Sequence, residues 1–115
     1  MTSVVEVTSF LRNFKEKMKF WDVVFRDDRN KNAQALIDLE LRPIDRITVL
    51  ETLDIKDYSE GPLAETLYRG ADMWVFGKTV KKKEVYIKIT MGAMNSSVIC
   101  ISFHLAQHKM NYPFK

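Results

Sequence analysis

"EVYIKIT" (Glu84–Thr90) and "VICISFH" (Val98–His104) decide how this chain is read. Each alternates with a period of two. In the first, Val85, Ile87 and Ile89 fall on one side and Tyr86, Lys88 and Thr90 on the other. In the second, Ile99, Ile101 and Phe103 oppose Cys100, Ser102 and His104. Such alternation marks a half-buried strand, because successive side chains point to opposite faces of a sheet. The apolar rows are expected to pack on helices. The opposite face then carries a phenol, an amine and an imidazole. With neighbouring strands about 5 Å apart, Tyr86, Lys88, Ser102 and His104 converge in a favourable register.

Working outward, "DMWVFGKTV" (Asp72–Val80) supplies a third strand, on which Trp74 and Phe76 share a face. Lys81, Lys82 and Lys83 form the loop to the next strand, and Gly92–Ser97 forms the loop after that. Upstream the signals are helical. Ser3 and Glu6 have the spacing of a capping box, and Val7, Phe10, Leu11, Phe14 and Met18 recur at three and four residues up to about Lys19. "WDVVF" (Trp21–Phe25) is β-branched and aromatic and reads as a short strand, followed by a polar turn over Arg26–Asn32. A short helix is expected over Ala33–Leu39. Pro43 opens another to about Leu53, with Ile44, Ile47, Val49 and Leu50 as its apolar side. Asp57–Pro62 reads as a turn, and Pro62 starts a one- or two-turn helix that stops at Gly70. The fold class is α+β: N-terminal helices packed on a small C-terminal antiparallel sheet.

A chain of 115 residues, 46% hydrophobic and 29% charged, is one domain, residues 1–115, able to bury a core without disulfides or a metal. It shows no repeat, linker or low-complexity segment. The lone Cys100 excludes an intrachain disulfide and fits a reducing cytoplasm. The N-terminus lacks the charged-then-apolar pattern of a secretory signal. Ile89–His108 is free of Asp, Glu, Lys and Arg but holds too many Asn, Ser and Gln to span a bilayer. A cytoplasmic protein with no membrane partner is expected. The net charge is +3, and Lys78, Lys81, Lys82, Lys83 and Lys88 lie close together while Asp54–Asp57 and Glu60–Glu65 carry much of the acid. That segregation points to an anionic partner.

Phenol, amine and imidazole on one face suit acid–base chemistry on a phosphodiester. RNA carries its own nucleophile, the 2′-hydroxyl, so an enzyme needs a base, an acid and cations for the charge developing on phosphate. His104 serves either proton role near neutral pH, Tyr86 positions or donates, and Lys88 supplies charge. The bland alternative is a solvated sheet face. His104 and His108 have a spacing that converges on a metal only in a helix, and His104 ends a strand, so neither a metal nor another cofactor is expected. Cys100 lies too far along the strand to be activated by His104 and reads as a buried inert thiol. Trp74 either stacks on an unpaired base or packs in the core. Arg26, Arg29 and Lys31 form either a phosphate-contacting loop or a solvated turn.

"EVYIKIT" followed by "VICISFH" and preceded by "DMWVFGK" resembles the MqsR group of bacterial toxins, within the RelE-like ribonucleases. The resemblance covers Leu53 to His104. It implies a metal-independent endoribonuclease that cleaves mRNA and is held inactive by a cognate antitoxin, as in type II toxin–antitoxin systems. Tyr86 falls on that family's active-site tyrosine, His104 where a catalytic lysine follows the last strand's "SF", and Lys88 on a second basic position. Ser59 or Glu60 stands where the family has a lysine, and Val75 replaces its glutamine after the tryptophan. The combined expectation places Tyr86, His104 and Lys88 in catalysis, and Lys78, Lys81, Lys82, Lys83 and Trp74 in RNA binding. The alternative is a non-catalytic RNA- or protein-binding module on the same fold.

Overall fold

The computed structural model describes residues 2–64 and 71–115. Its elements are α1 (Val4–Phe20), β1 (Val23–Phe25), α2 (Asn30–Asp38), α3 (Asp45–Glu51), a 3-10 turn (Ile55–Asp57), β2 (Tyr58–Leu63), β3 (Met73–Val80), β4 (Lys83–Thr90) and β5 (Val98–Leu105). The strands form one sheet in the order β1-β5-β4-β3-β2. The α+β class stands, but the sheet is mixed. β1 runs parallel to β5, through Val23↔Val98 and Phe25↔Cys100, while the other pairs are antiparallel. Three residues of "WDVVF" sufficed to add that edge strand. Because it lies between α1 and α2 in the chain, the helices do not all precede the sheet.

α1 begins where the capping box places it. The Ser3 hydroxyl accepts from the Glu6 amide, and the Glu6 carboxylate accepts from the Ser3 amide. Its apolar stripe of Val7, Phe10, Leu11 and Phe14 enters a core shared with Val85, Ile87 and Ile89 of β4 and with Trp74 and Phe76 of β3. α2 starts earlier than the sequence suggests, inside the stretch expected to be a polar turn, and sends Ala35 into the same core. α3 differs in its inward side. Ile44 is exposed, and the buried residues are Arg46 and Leu50. The Arg46 guanidinium forks onto Asp27 at 2.6 and 3.0 Å, donates to the Pro43 carbonyl and lies 3.8 Å from the centre of the Phe25 ring. A buried arginine is tolerated only when its charge and donors are met in this way.

Pro62 and Leu63 belong to β2, not to a helix, and the rest of that expected helix, 65–70, lies outside the described residues. The loop between β3 and β4 is a two-residue turn closed by Val80↔Lys83. Lys81 and Lys82 both have positive φ, 50° and 70°. This is the primed turn geometry that matches strand twist, here built without the glycine that usually relieves it.

The largest departure lies within β5. Lys88 pairs with Ser102 but Ile89 pairs with Cys100, so Ile101 is an extra residue in a bulge. Beyond it the faces exchange. Val98 and Cys100 join the core, and Ile99 does not, although strict alternation assigned it there. Ile101 and Phe103 are buried as expected.

Candidate functional site

Two registers build the second face of the sheet. One row runs Gly77–Tyr86–His104 across β3, β4 and β5. The next runs Glu60–Val75–Lys88–Ser102 across β2 to β5. Alternation puts Tyr86, Lys88, Ser102 and His104 on one face, and the register, which the sequence leaves open, brings them together. The Tyr86 and His104 rings stack, with centroids 5.2 Å apart and planes inclined by 13°. The Lys88 ammonium lies 5.9 Å from the centre of the Tyr86 ring.

This face is the floor of a groove of about 1000 Å³. The start of α2 walls one side with Arg29 and Lys31, β2 contributes Ser59 and Glu60, and the segment after β5 contributes His108 and Lys109. Arg29, Lys31, Lys88 and Lys109 face it with a single carboxylate, Glu60, among the described lining residues. The cationic character thus comes from three separate parts of the chain: the start of α2, β4 and the segment after β5. The N-terminal end of α2 also opens here, and its dipole adds to the attraction for an anion.

The local chemistry follows from hydrogen bonding and burial. Nδ1 of His104 lies 2.9 Å from the Leu105 carbonyl oxygen. A carbonyl only accepts, so Nδ1 carries the proton and Nε2 is the ring atom left for chemistry. Burial, and secondarily the charge of Glu60, raises the Tyr86 phenol above its ordinary value. The phenol therefore stays protonated and acts as a donor.

The remaining expected site residues lie elsewhere. Trp74 is 9% exposed and stacks on Phe10 with centroids 4.6 Å apart, so the core reading holds and base stacking does not. Lys78 sits next to Gly77 and so points to the opposite face, where it pairs with Asp57 at 3.0 Å and donates to the Thr52 carbonyl. Lys81 donates to the Glu40 carbonyl, and none of Lys81, Lys82 and Lys83 lines the groove. Cys100 is 1% exposed, and burial pushes its thiol up to about 12, so it is inert. Among the described residues no cluster of three His, Cys, Asp or Glu side chains is placed to hold a metal.

The sequence reading overlooked Asn32, Glu60, His108 and Lys109 as parts of this site. Asn32 is the structural key to one wall. Its carboxamide donates to the Ile101 and Arg26 carbonyls, and its oxygen accepts from the Phe103 amide. It stands where the next peptide unit of β1 would pair with β5, and so it holds the start of α2 beside His104. An asparagine opening a helix gives only a weak signal of such a role.

No family model, curated protein or solved structure matches this chain. Among the described residues, no helix is long and apolar enough to cross a membrane.

Proposed function

We propose that the protein is a metal-independent endoribonuclease acting on mRNA in the cytoplasm. In this reading it is a RelE-like toxin of the MqsR type, restrained by a cognate antitoxin. The observation that carries the reading is the stacked Tyr86–His104 pair on the floor of a groove that has, among the described residues, four cations and one carboxylate. Nε2 of His104 takes the 2′-hydroxyl proton as O2′ bonds to phosphorus. The bond from phosphorus to O5′ breaks, and the Tyr86 phenol protonates the departing oxygen. The products are a 2′,3′-cyclic phosphate and a 5′-hydroxyl. The imidazolium returns its proton to the neighbouring phenolate, and Lys88 offsets charge on the phosphate oxygens.

A second reading, a non-catalytic RNA-binding module, is favoured by the row that contains Glu60 and Val75. Val75 is fully buried and replaces the family's glutamine, and an acid or a serine stands at its lysine position. Expression of wild type beside His104→Ala and Tyr86→Phe in a bacterial host separates the two. Growth arrest with cyclic-phosphate RNA ends, lost in His104→Ala, is the expected result. Harmless wild-type protein that leaves RNA intact in vitro transfers the groove to the binding reading.

A further inference from the structure

The chain does not end its structural work at β5. The Ala106 amide donates to the Glu84 carbonyl, and the segment then crosses the second face of the sheet as a strap. It is pinned on both sides of His108 and Lys109. Upstream, Lys31 donates to the Gln107 side chain at 3.0 Å. Downstream, the Tyr112 hydroxyl donates to the Glu84 carboxylate at 2.6 Å, and Phe114 stacks on Tyr58 with centroids 5.4 Å apart.

Gly77 shows that the seat of the strap is built into the sheet. Glycine inside a strand weakens it and leaves nothing to pack, so its presence calls for a close neighbour. Here that neighbour is the Tyr112 phenol, whose oxygen and ring edge occupy the space a Cβ at Gly77 would need. Glu84, two residues before Gly77's partner Tyr86 in the next strand, receives both the strap's first amide and its tyrosine hydroxyl.

We infer that this strap is a substrate-binding wall: Lys109 and His108 contact the phosphodiester backbone of single-stranded RNA lying in the groove, and Tyr112 is the positioning residue that holds them there. The inference rests on the RNA reading of the groove. α2 walls the groove on one side and β2 on another, and the strap adds His108 and Lys109. Lys109 then adds a phosphate contact to those of Arg29, Lys31 and Lys88, and no pairing of Lys109 with an acid is seen among the described residues.

The test is binding of a 2′-O-methylated, uncleavable RNA oligonucleotide by the full chain across a range of salt, with the melting temperature of every variant recorded. Lys109→Ala is expected to flatten the plot of log K against log salt by about 0.7, one phosphate contact on a single strand. His108→Ala weakens binding several-fold. Tyr112→Phe removes the hydrogen bond, and Gly77→Ala forces the ring from its seat; each is expected to weaken binding several-fold. Tyr112→Phe added to the combined His108→Ala and Lys109→Ala variant should weaken binding no further, because the tyrosine acts through those two residues. Additive losses, or an unchanged salt slope in Lys109→Ala while wild type binds, would reduce the strap to a structural element and leave the ribonuclease reading standing. Failure of wild type to bind RNA at low salt would overturn both.

Discussion

His104 and Tyr86 lie ring against ring across β4 and β5, with centroids 5.2 Å apart. The register sets this contact directly, since the two residues are cross-strand partners. The sheet itself, rather than a mobile loop, thereby fixes the two groups that the proposed mechanism uses as base and donor, and proton transfer requires such positioning.

His104→Ala is accordingly expected to lower RNA cleavage by about 10²-fold or more, the usual worth of a positioned acid or base. Tyr86→Phe keeps the stacking surface and removes the donor. It should cost less than removal of the histidine in single-turnover cleavage. A chelator is expected to leave wild-type cleavage intact. Inhibition reversed by added divalent ion would point to a different mechanism.

Electrostatic contributions to RNA binding should follow the groove rather than the lysine run. Arg29→Ala and Lys88→Ala are each expected to reduce the salt slope by about 0.7. Replacement of Lys81, Lys82 and Lys83 together by serine should leave it unchanged, because their turn lies away from the floor. The reverse ranking in an anisotropy titration would move the RNA path to the hairpin tip.

Asn32→Ala deprives a buried Phe103 amide and the Ile101 carbonyl of their partner. Each unsatisfied group costs about 1–3 kcal/mol, so denaturant unfolding should show a loss of about 2–6 kcal/mol. A change below about 0.5 kcal/mol, the range of ordinary surface substitutions, would mean that water or a shifted α2 replaces the amide without penalty.

The Cys100 thiol supplies an alkaline limit. Its folded-state value is raised to about 12 by burial, against about 8.5 in an unfolded chain. Its contribution to stability is complete below about 8.5 and is lost as pH climbs towards the folded value. Unfolding midpoints should therefore fall above that pH, and Cys100→Ala should flatten the fall. In the native protein at neutral pH the thiol should resist maleimide. Rapid modification without unfolding would contradict its burial.

The parts of the fold legible in the sequence were those governed by local periodicity and capping. Glu84–Thr90 alternates without interruption, and α1 carries both its stripe and its cap. The shared face of Tyr86 and His104 was legible too, because His104 lies on the side of the bulge where alternation still holds, but their pairing waited on the register. The bulge at Ile101 was not legible. One extra residue moves Val98 and Cys100 inward, and nothing in "VICISFH" marks where the count slips. Arg46 was hidden for a similar reason, since a charged residue inside α3 reads as solvent-facing until Asp27 and Phe25 are seen around it. Charge misled through distance: lysines adjacent in sequence diverge to two faces and a turn, while Arg29, Lys31, Lys88 and Lys109 are gathered only by the fold.

Asn32 also bears on how copies of this protein behave towards one another. β1 covers β5 only as far as Cys100, and beyond it an unpaired strand border would invite another chain to add on. The Asn32 carboxamide already consumes the Ile101 carbonyl and the Phe103 amide there. A side chain of one residue thus closes a border that would otherwise recruit a neighbouring molecule, and it does so beside His104 without covering the groove. Loss of that amide would leave a reactive edge next to the floor of the groove, coupling the protein's solubility to the same contact that positions the α2 wall.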